Sequence, residues 1–437
     1  MARVEQQQIP PIEQAGTPAP SQAERSPGTR LWRNRAFNIF WAGQSISVLG
    51  DGFAMLALPL LVFQATGSVV QMGLVTGTFG IGQMVSGLVS GVIVDRVDRR
   101  RLMILCDVLR LVLYGSIPLV WVVAGPQLWL IYVVVALGAM LGMTFSVAYM
   151  TALANLVDRD QLTDANARVN ASFSLAFVLG PLLAGLISAR IGPVASVAVD
   201  ALSFGVSALT LARIRLRRAS AERTSESKGG SLRRTVADYL DGIRFLAGQP
   251  TLRAVMLLLA GLSFVMAGMM DLFIFHLKHD LHQSDGAVGL VIGLAGIGGV
   301  GGGLVAPILR RRFGFGVSWL GGWALTSISC VLIGIVPSLW LILPAAVGYI
   351  FGDMLSGTNS MTLRQELTPD HLLGRVTATV WTLNAVASPI GAAALTLLAS
   401  RVGGAAAITI GGVFFAGLTV LGFFTPARRR HPERAMT

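Results

Sequence analysis

Apolar residues run along this chain in blocks of roughly 20 positions, separated by short polar, Gly- or Pro-bearing turns. Twelve such blocks occupy residues 37–64, 69–94, 102–123, 128–155, 169–189, 193–212, 254–276, 286–309, 316–336, 338–362, 376–399 and 404–425. Each is long enough to cross the hydrocarbon core as a helix, and helices satisfy their own backbone hydrogen bonds there. The pattern predicts an all-α membrane protein of twelve transmembrane helices.

The blocks are not independent. Shifting the chain by 216 residues lays span 2 on span 8, pairing Gly73-Leu74-Val75 with Gly289-Leu290-Val291, Gly80-Ile81-Gly82 with Gly296-Ile297-Gly298, and Gly87-Leu88-Val89 with Gly303-Leu304-Val305. Gly77 falls on Gly293 as well, giving ten identities in seventeen gapless positions. Two six-helix halves that enter the membrane in the same orientation form a parallel repeat about an axis along its normal. The expected organisation is a disordered Gln-, Pro- and Ser-rich arm at 1–35, a first half at 36–212, a linker at 213–252, a second half at 253–425 and a basic tail at 426–437. Within the linker, Leu232, Val236, Leu240, Ile243 and Leu246 recur at helical spacing beside Arg233, Arg234 and Arg244, the pattern of an amphipathic helix on the membrane surface.

Composition agrees: 53% of residues are hydrophobic and 13% charged, where soluble proteins carry about 25%. The net charge of +12 would suggest nucleic acid if it were scattered, but 30 of the 34 basic residues fall in segments on one side of the twelve spans. That asymmetry is the positive-inside pattern. It places both termini in the cytoplasm, makes anionic lipid head groups the partner of the basic residues, and argues against a nucleic-acid role. Cys106 and Cys330 stand alone in apolar runs, offering neither a disulfide framework nor a thiolate metal site. His276, His279 and His282, with Asp280, match no ligand spacing and read as a solvated outer loop, so no metal is expected. No catalytic cluster or soluble output domain is visible, which argues against an enzyme.

The loop after span 2 reads Gly91-Val-Ile-Val-Asp95-Arg96-Val-Asp98-Arg99-Arg100-Arg101. It resembles the signature loop of the major facilitator superfamily, G-x-x-x-D-R-x-G-R-R/K, with Asp98 in place of the family's glycine. The resemblance implies two six-helix halves and a conformational latch formed by Gly91, Asp95, Arg96, Arg99 and Arg100. The second copy keeps Arg310, Arg311 and Arg312 but has Pro307 opposite Gly91 and no acid opposite Asp95, so the latch is expected to be asymmetric. In span 5, Gly180, Pro181 and Gly185 resemble the superfamily's antiporter motif, G-x-x-x-G-P-x-x-G-G, with alanine at two of its glycines. That motif points towards export; a Gly-Pro kink serving helix packing alone is the alternative. Span 4 carries no arginine of the kind many family drug antiporters have there. Short strings, Leu49-Gly50-Asp51, Pro59-Leu60-Leu61-Val62 and Asp160-x-Leu162 through Ala165-Asn166, are similar to the bacterial branch that includes siderophore exporters and macrolide efflux proteins.

Acids inside spans are functional candidates because an ionised carboxylate costs a few kcal/mol in the bilayer. Asp51 shares a helical face with Gln44 and Ser47 and is the first choice for proton carrier; Asp353 shares one with Tyr349, Ser356 and Ser360. Asp353, Asp271 and Asp200 are further proton-coupling candidates; Asp200 and Asp271 lie in the outer halves of their spans, where they would either gate the outer side or bond a neighbouring helix. Asp107 and Arg110, three residues apart, read as a structural ion pair. Tyr149, Trp381 and Asn384 complete the expected cavity lining. These residues point to a monomeric, proton-coupled exporter of a small amphipathic compound in the bacterial cytoplasmic membrane, with the proton gradient as energy source and no cofactor. An importer of small polar metabolites on the same fold is the alternative, and a non-transporting sensor a further one. The asymmetric latch predicts that Asp95→Ala impairs transport far more than Arg312→Ala, measured as substrate accumulation in cells; equal effects would contradict it.

Overall fold

A computed structural model describes residues 31–158, 161–214 and 242–432. Twelve long helices account for nearly all of them: α1 (Arg35–Thr66), α2 (Val69–Arg96), α3 (Arg99–Ala124), α4 (Leu128–Ala154), α5 (Leu162–Ile191), α6 (Pro193–Arg213), α7 (Pro250–Phe275), α8 (Asp285–Phe313), α9 (Phe315–Ile335), α10 (Leu339–Leu367), α11 (Asp370–Val402) and α12 (Gly404–Phe423). Eleven are long and apolar enough to cross a membrane. The other, α2, is 28 residues long and packs between α4 and α11. The N-terminal arm and most of the expected amphipathic helix lie outside the described residues. Residues 242–248 are helical, with Leu246 buried and Gly242 set against the backbone of Arg375.

Local sequence explains where the helices begin and turn. Asn34, Ser68, Asp98 and Ser284 each accept a hydrogen bond from a backbone N–H in the first turn of α1, α2, α3 and α8, satisfying donors the helix leaves unpaired. Asp98 thereby has a local role where the family pattern has glycine: its carboxylate caps α3, accepting from Arg101 N at 2.9 Å. Single glycines turn α5 into α6 at Gly192 and α11 into α12 at Gly403, with φ of 90° and 87°. Only glycine adopts such values without strain, and the two sit at equivalent joints of the two halves.

The packing repeats with the sequence. α1 packs on α5 and α6, α3 on α4 and α6, and α2 on α4; six helices later, α7 packs on α12 and α11, α9 on α10 and α12, and α8 on α10. The two most extensive contacts between the halves are α5 with α8 and α2 with α11, and a shift of six converts one pair into the other. Lipid gives helices no hydrophobic reason to associate, so small residues that let backbones touch carry such contacts. A Cβ added at Gly289 would lie 2.5 Å from Pro181 O and 2.7 Å from Gly185 Cα. Across the second pair, Gly80 lies against the Pro389 ring.

The chain's described ends and the arginine-rich joints lie at one end of the bundle, the basic end. At the opposite end the halves are held together by Gly185 against Gly289, by an edge-on contact of Phe63 with Phe275 and by a hydrogen bond from Gln64 Nε2 to Asp285 Oδ2 of 3.3 Å. The expectation of a solvated histidine loop holds for His279 and His282, which are exposed, and fails for His276. Residues His276–Asp280 form a π-helical turn in which His276 is buried and bonds Asp280 at 2.7 Å. Asp280 also accepts from Ala405 N at the start of α12, and Lys278 pairs with Asp285 at 2.5 Å. Low dielectric favours such pairing over exposure of single charges. Among the described residues no group of three His, Cys, Asp or Glu side chains could hold a metal.

Gly289→Val would wedge α8 from α5 at a cost of about 1–3 kcal/mol. The expected outcome is a lower unfolding temperature together with faster reaction of a Gln64→Cys probe with a polar maleimide; unchanged reactivity would show that this contact does not close that end.

Candidate functional site

The stripe expected on α1 lines a cavity. Gln44, Ser47 and Asp51 face a space of about 520 Å³ between the halves, bounded also by Thr76, Phe79 and Gln83 of α2, Arg110 and Tyr114 of α3, Phe145 and Tyr149 of α4, Phe173 of α5 and Asp271 of α7. Tyr149 stacks on Phe40 with ring centroids 5.3 Å apart, which holds one aromatic wall. Asp271 comes from the second half, is 2% exposed and faces Thr76 across the junction of α2 and α7. It is therefore a wall of the cavity as well as a contact between halves.

Arg110 corrects the sequence reading. Its guanidinium bonds Asp51 Oδ1 at 2.5 Å rather than pairing with Asp107 on its own helix. Asp107 instead accepts from Ser207 Oγ of α6 at 2.6 Å, and Ser207 accepts in turn from Gln44 Nε2 at 2.8 Å. Separation by three residues brings two groups to neighbouring faces of a helix, but α6 and α1 stand opposite those faces and compete for them. The guanidinium also sits 3.8 Å above the Phe204 ring, against which Tyr114 packs edge-on, a cation–π arrangement that strengthens where water is excluded. Room for these side chains comes from α4: a Cβ at Gly138 would meet the Tyr114 ring at 2.5 Å, and one at Gly142 would touch the Arg110 guanidinium.

Asp200, expected in the outer half of its span, is fully buried and does not line the cavity. It packs on the neighbour of Asp51, where a Cβ at Gly50 would lie 2.8 Å from its Oδ1, and neither of its carboxyl oxygens has a hydrogen-bond partner among the described residues. Helix 5 closes the same turn from another side. A Cβ at Gly180 would lie 2.6 Å from Gly52 Cα, so Gly180-Pro181 abuts Asp51's turn of α1 while Gly185 abuts α8.

A smaller cavity of about 210 Å³ adjoins the first through Met55 and Met270. Asp353 and Tyr349 line it as their shared face predicts, and the Tyr349 hydroxyl donates to Met266 Sδ at 3.0 Å. Ser356 does not line it: it is buried against α9 and donates to Trp319 O at 2.8 Å. Asn384 lines neither cavity and accepts from Ser263 Oγ of α7 at 3.0 Å. Both turn to a neighbouring helix because an unpaired polar group inside the bundle is costly. The side chain of Trp381 lies outside the described residues.

The Asp95 side chain and the surroundings of Gly91 also lie outside them. Of the other latch residues, Arg96 is exposed, Arg99 half-buried, and Arg100 donates to the carbonyls of Leu211 and Ala212 at 2.9 and 2.6 Å, placing a cation on the C-terminus of α6 where the helix dipole favours it. The second half does have an acid for its loop, but from another helix. Arg310 pairs with Glu366 of α10 and donates to Asn359 O. Glu366 lies on a different helix from the position opposite Asp95, so the sequence repeat does not reveal it.

The family model of the Major Facilitator Superfamily matches residues 40–392. The chain belongs to that superfamily. It is an integral membrane protein of a transporter family. It is 28% identical over 353 residues to a protein named multidrug efflux pump Tap from Mycolicibacterium fortuitum, covering 78% of this chain and 84% of that one. To the enterobactin exporter EntS of Citrobacter koseri it is 26% identical over 397 residues, 89% of this chain and 90% of the other. The crystal structure of nucleoside transporter NupG superposes with a TM-score of 0.72 at 11% identity, covering 89% of this chain and 98% of that one, which shows the shared fold.

Removing the Arg110 guanidinium strands Asp51, at a cost of about 2 kcal/mol for a lost charge-assisted bond. Arg110→Ala is expected to lower the unfolding temperature, and the double variant Asp51→Asn, Arg110→Ala to recover much of the loss. Additive losses would show that the two side chains act independently.

Proposed function

We propose that this protein is a proton-coupled exporter of small amphipathic compounds, working by alternating access in the bacterial cytoplasmic membrane with both termini in the cytoplasm. The observation that carries the reading is the Asp51–Arg110 pair in the cavity wall, with Asp200 buried beside it. A proton carrier must be reachable from the cavity and must change its partners when it is neutralised. Asp51 meets both conditions: its side chain is 46% exposed, and neutralising it removes the charge that pairs it with Arg110. Asp200, buried beside the pair, has no hydrogen-bond partner at either carboxyl oxygen among the described residues.

The cycle follows from these groups. With the cavity open at the basic end, Asp51 is ionised and bound to Arg110, the condition for taking up cargo from the cytoplasm. After the halves rock and the far end opens, a proton reaching Asp51 releases Arg110 towards Asp107 and Asp200. Return to the first state frees the proton into the cytoplasm. Moving one charge through 100 mV supplies about 2.3 kcal/mol, enough for a gradient of roughly 50-fold in a neutral cargo. The names of the relatives, an efflux pump and an exporter, support the outward direction. The walls are largely apolar, which supports an amphipathic cargo over the polar metabolite of the import alternative.

The test is an efflux panel in a pump-deficient host. Cells making the protein are expected to accumulate less of at least one amphipathic compound until a protonophore is added. Asp51→Asn is expected to abolish that difference at unchanged membrane levels; undiminished efflux would remove Asp51 from the coupling role.

A further inference from the structure

Away from the central cavities, the outer flank of the second half carries a groove of about 480 Å³ at the basic end, between α7 and α12. Its walls are Leu257, Leu258, Leu418, Leu421 and Phe424, and Arg253 stands among them towards the start of α7. A Cβ at Gly261 would lie 3.0 Å from Leu418 Cδ1, so the two helices touch at that level, and towards Pro250 the groove opens between them. Leu257, Leu421 and Phe424 are 70, 57 and 81% exposed, and in a bilayer they face acyl chains. Residues 250–257 run about 10 Å along the helix axis, while one leaflet's hydrocarbon is about 15 Å thick. The groove therefore spans much of the leaflet at the basic end.

Its charge has one sign. Arg253 is the one charged residue in the wall, and it is exposed. Nη1 donates to Ala247 O at 3.3 Å, which turns the guanidinium towards the membrane surface as long basic side chains do at helix ends. A guanidinium has five donors, and no carboxylate pairs with the others among the described residues. On the opposite rim, the turn Pro426–Arg428 is anchored by fully buried Ala427, leaving Arg428 and Arg429 exposed. A zwitterionic head group would bring an ammonium as well as a phosphate to these arginines, whereas an anionic one brings only the charge they attract. A second copy of the chain docked symmetrically on this face would set the same arginines against each other.

We infer that the groove between α7 and α12 is a binding site for one anionic phospholipid of the leaflet at the basic end, its phosphate on the Arg253 guanidinium and one acyl chain between Leu257 and Leu421. Arginine suits this role because its planar fork grips two phosphate oxygens at once. The same side chain holds Ala247 O, so the lipid would brace the corner at which the linker enters the second half. Lipid binding here is independent of the direction and coupling of transport.

The test is mass spectrometry of the intact full-length protein, purified and delipidated in neutral detergent, then titrated with dioleoylphosphatidylglycerol or dioleoylphosphatidylcholine, which share their acyl chains. The wild type is expected to retain one phosphatidylglycerol with a dissociation constant at least about ten-fold below that for phosphatidylcholine. Arg253→Ala is expected to bring the two lipids within about two-fold, whereas Arg401→Ala, which removes a cation at the opposite end, leaves the preference intact. Leu257→Trp is expected to fill the groove and weaken both lipids alike. Equal affinities in the wild type would overturn the anionic preference whether or not any variant folds. An unchanged preference in Arg253→Ala would overturn the site. Displacement of the lipid by equimolar glycerol 1-phosphate would overturn it in favour of a free-phosphate site, and protein dimers that Leu257→Trp abolishes would overturn it in favour of a second copy.

Discussion

The close approach of helix 5 to two partners is the contact on which the rest depends. Gly180 lets α5 lie against Gly52, one residue beyond Asp51, and five positions later Gly185 lets it lie against Gly289 of the other half. Both contacts are backbone on backbone, so they leave no side chain to yield, and Pro181 stands between them. In a bilayer, where apolar surface gains nothing by leaving lipid for protein, such small-residue seams supply the packing that holds helices in register. The turn of α1 that carries the principal carboxylate and the junction between the halves are thus braced by one short stretch of chain.

Duplication shaped the backbone evenly, but the two halves divide the chemistry. The first gathers Asp51, Asp107, Arg110 and Asp200 on three helices, with hydroxyls, an amide and the Phe204 ring completing their surroundings. The second contributes methionines, aromatic rings and the unpaired Asp353. A cavity built between them is polar on one wall and soft on the other, which suits an amphipathic occupant. At the far end the halves meet through glycines, a pair of rings and one hydrogen bond, contacts whose loss costs little compared with unfolding a helix.

Much of this was legible before any coordinates. The twelve long helices, the parallel repeat and the cavity-facing stripe of Gln44, Ser47 and Asp51 follow from hydrophobic length, internal identity and helical period, each a local property of the chain. The partner of Arg110 was not legible, because periodicity states which face a residue occupies and not which helix stands across from it. Ser356 and Asn384 were misassigned for the same reason: each lies near the edge of a polar stripe and is claimed by the adjacent helix. His276 was misread because the polar composition of its turn resembles a solvated loop, while its partner Asp280 is anchored to the start of α12, 125 residues away.

The sequence by itself determined that this chain crosses a membrane in duplicated sets of helices and which few charges it carries inside, since the bilayer penalises every unsatisfied polar group and tolerates only patterned exceptions. Tertiary structure alone decided how those charges pair. Arg110 belongs to Asp51, Asp107 to Ser207, and Asp200 and Asp353 to no described donor, because pairing at 2.5–3 Å depends on three-dimensional placement of helices that lie 59 to 100 residues apart in the chain.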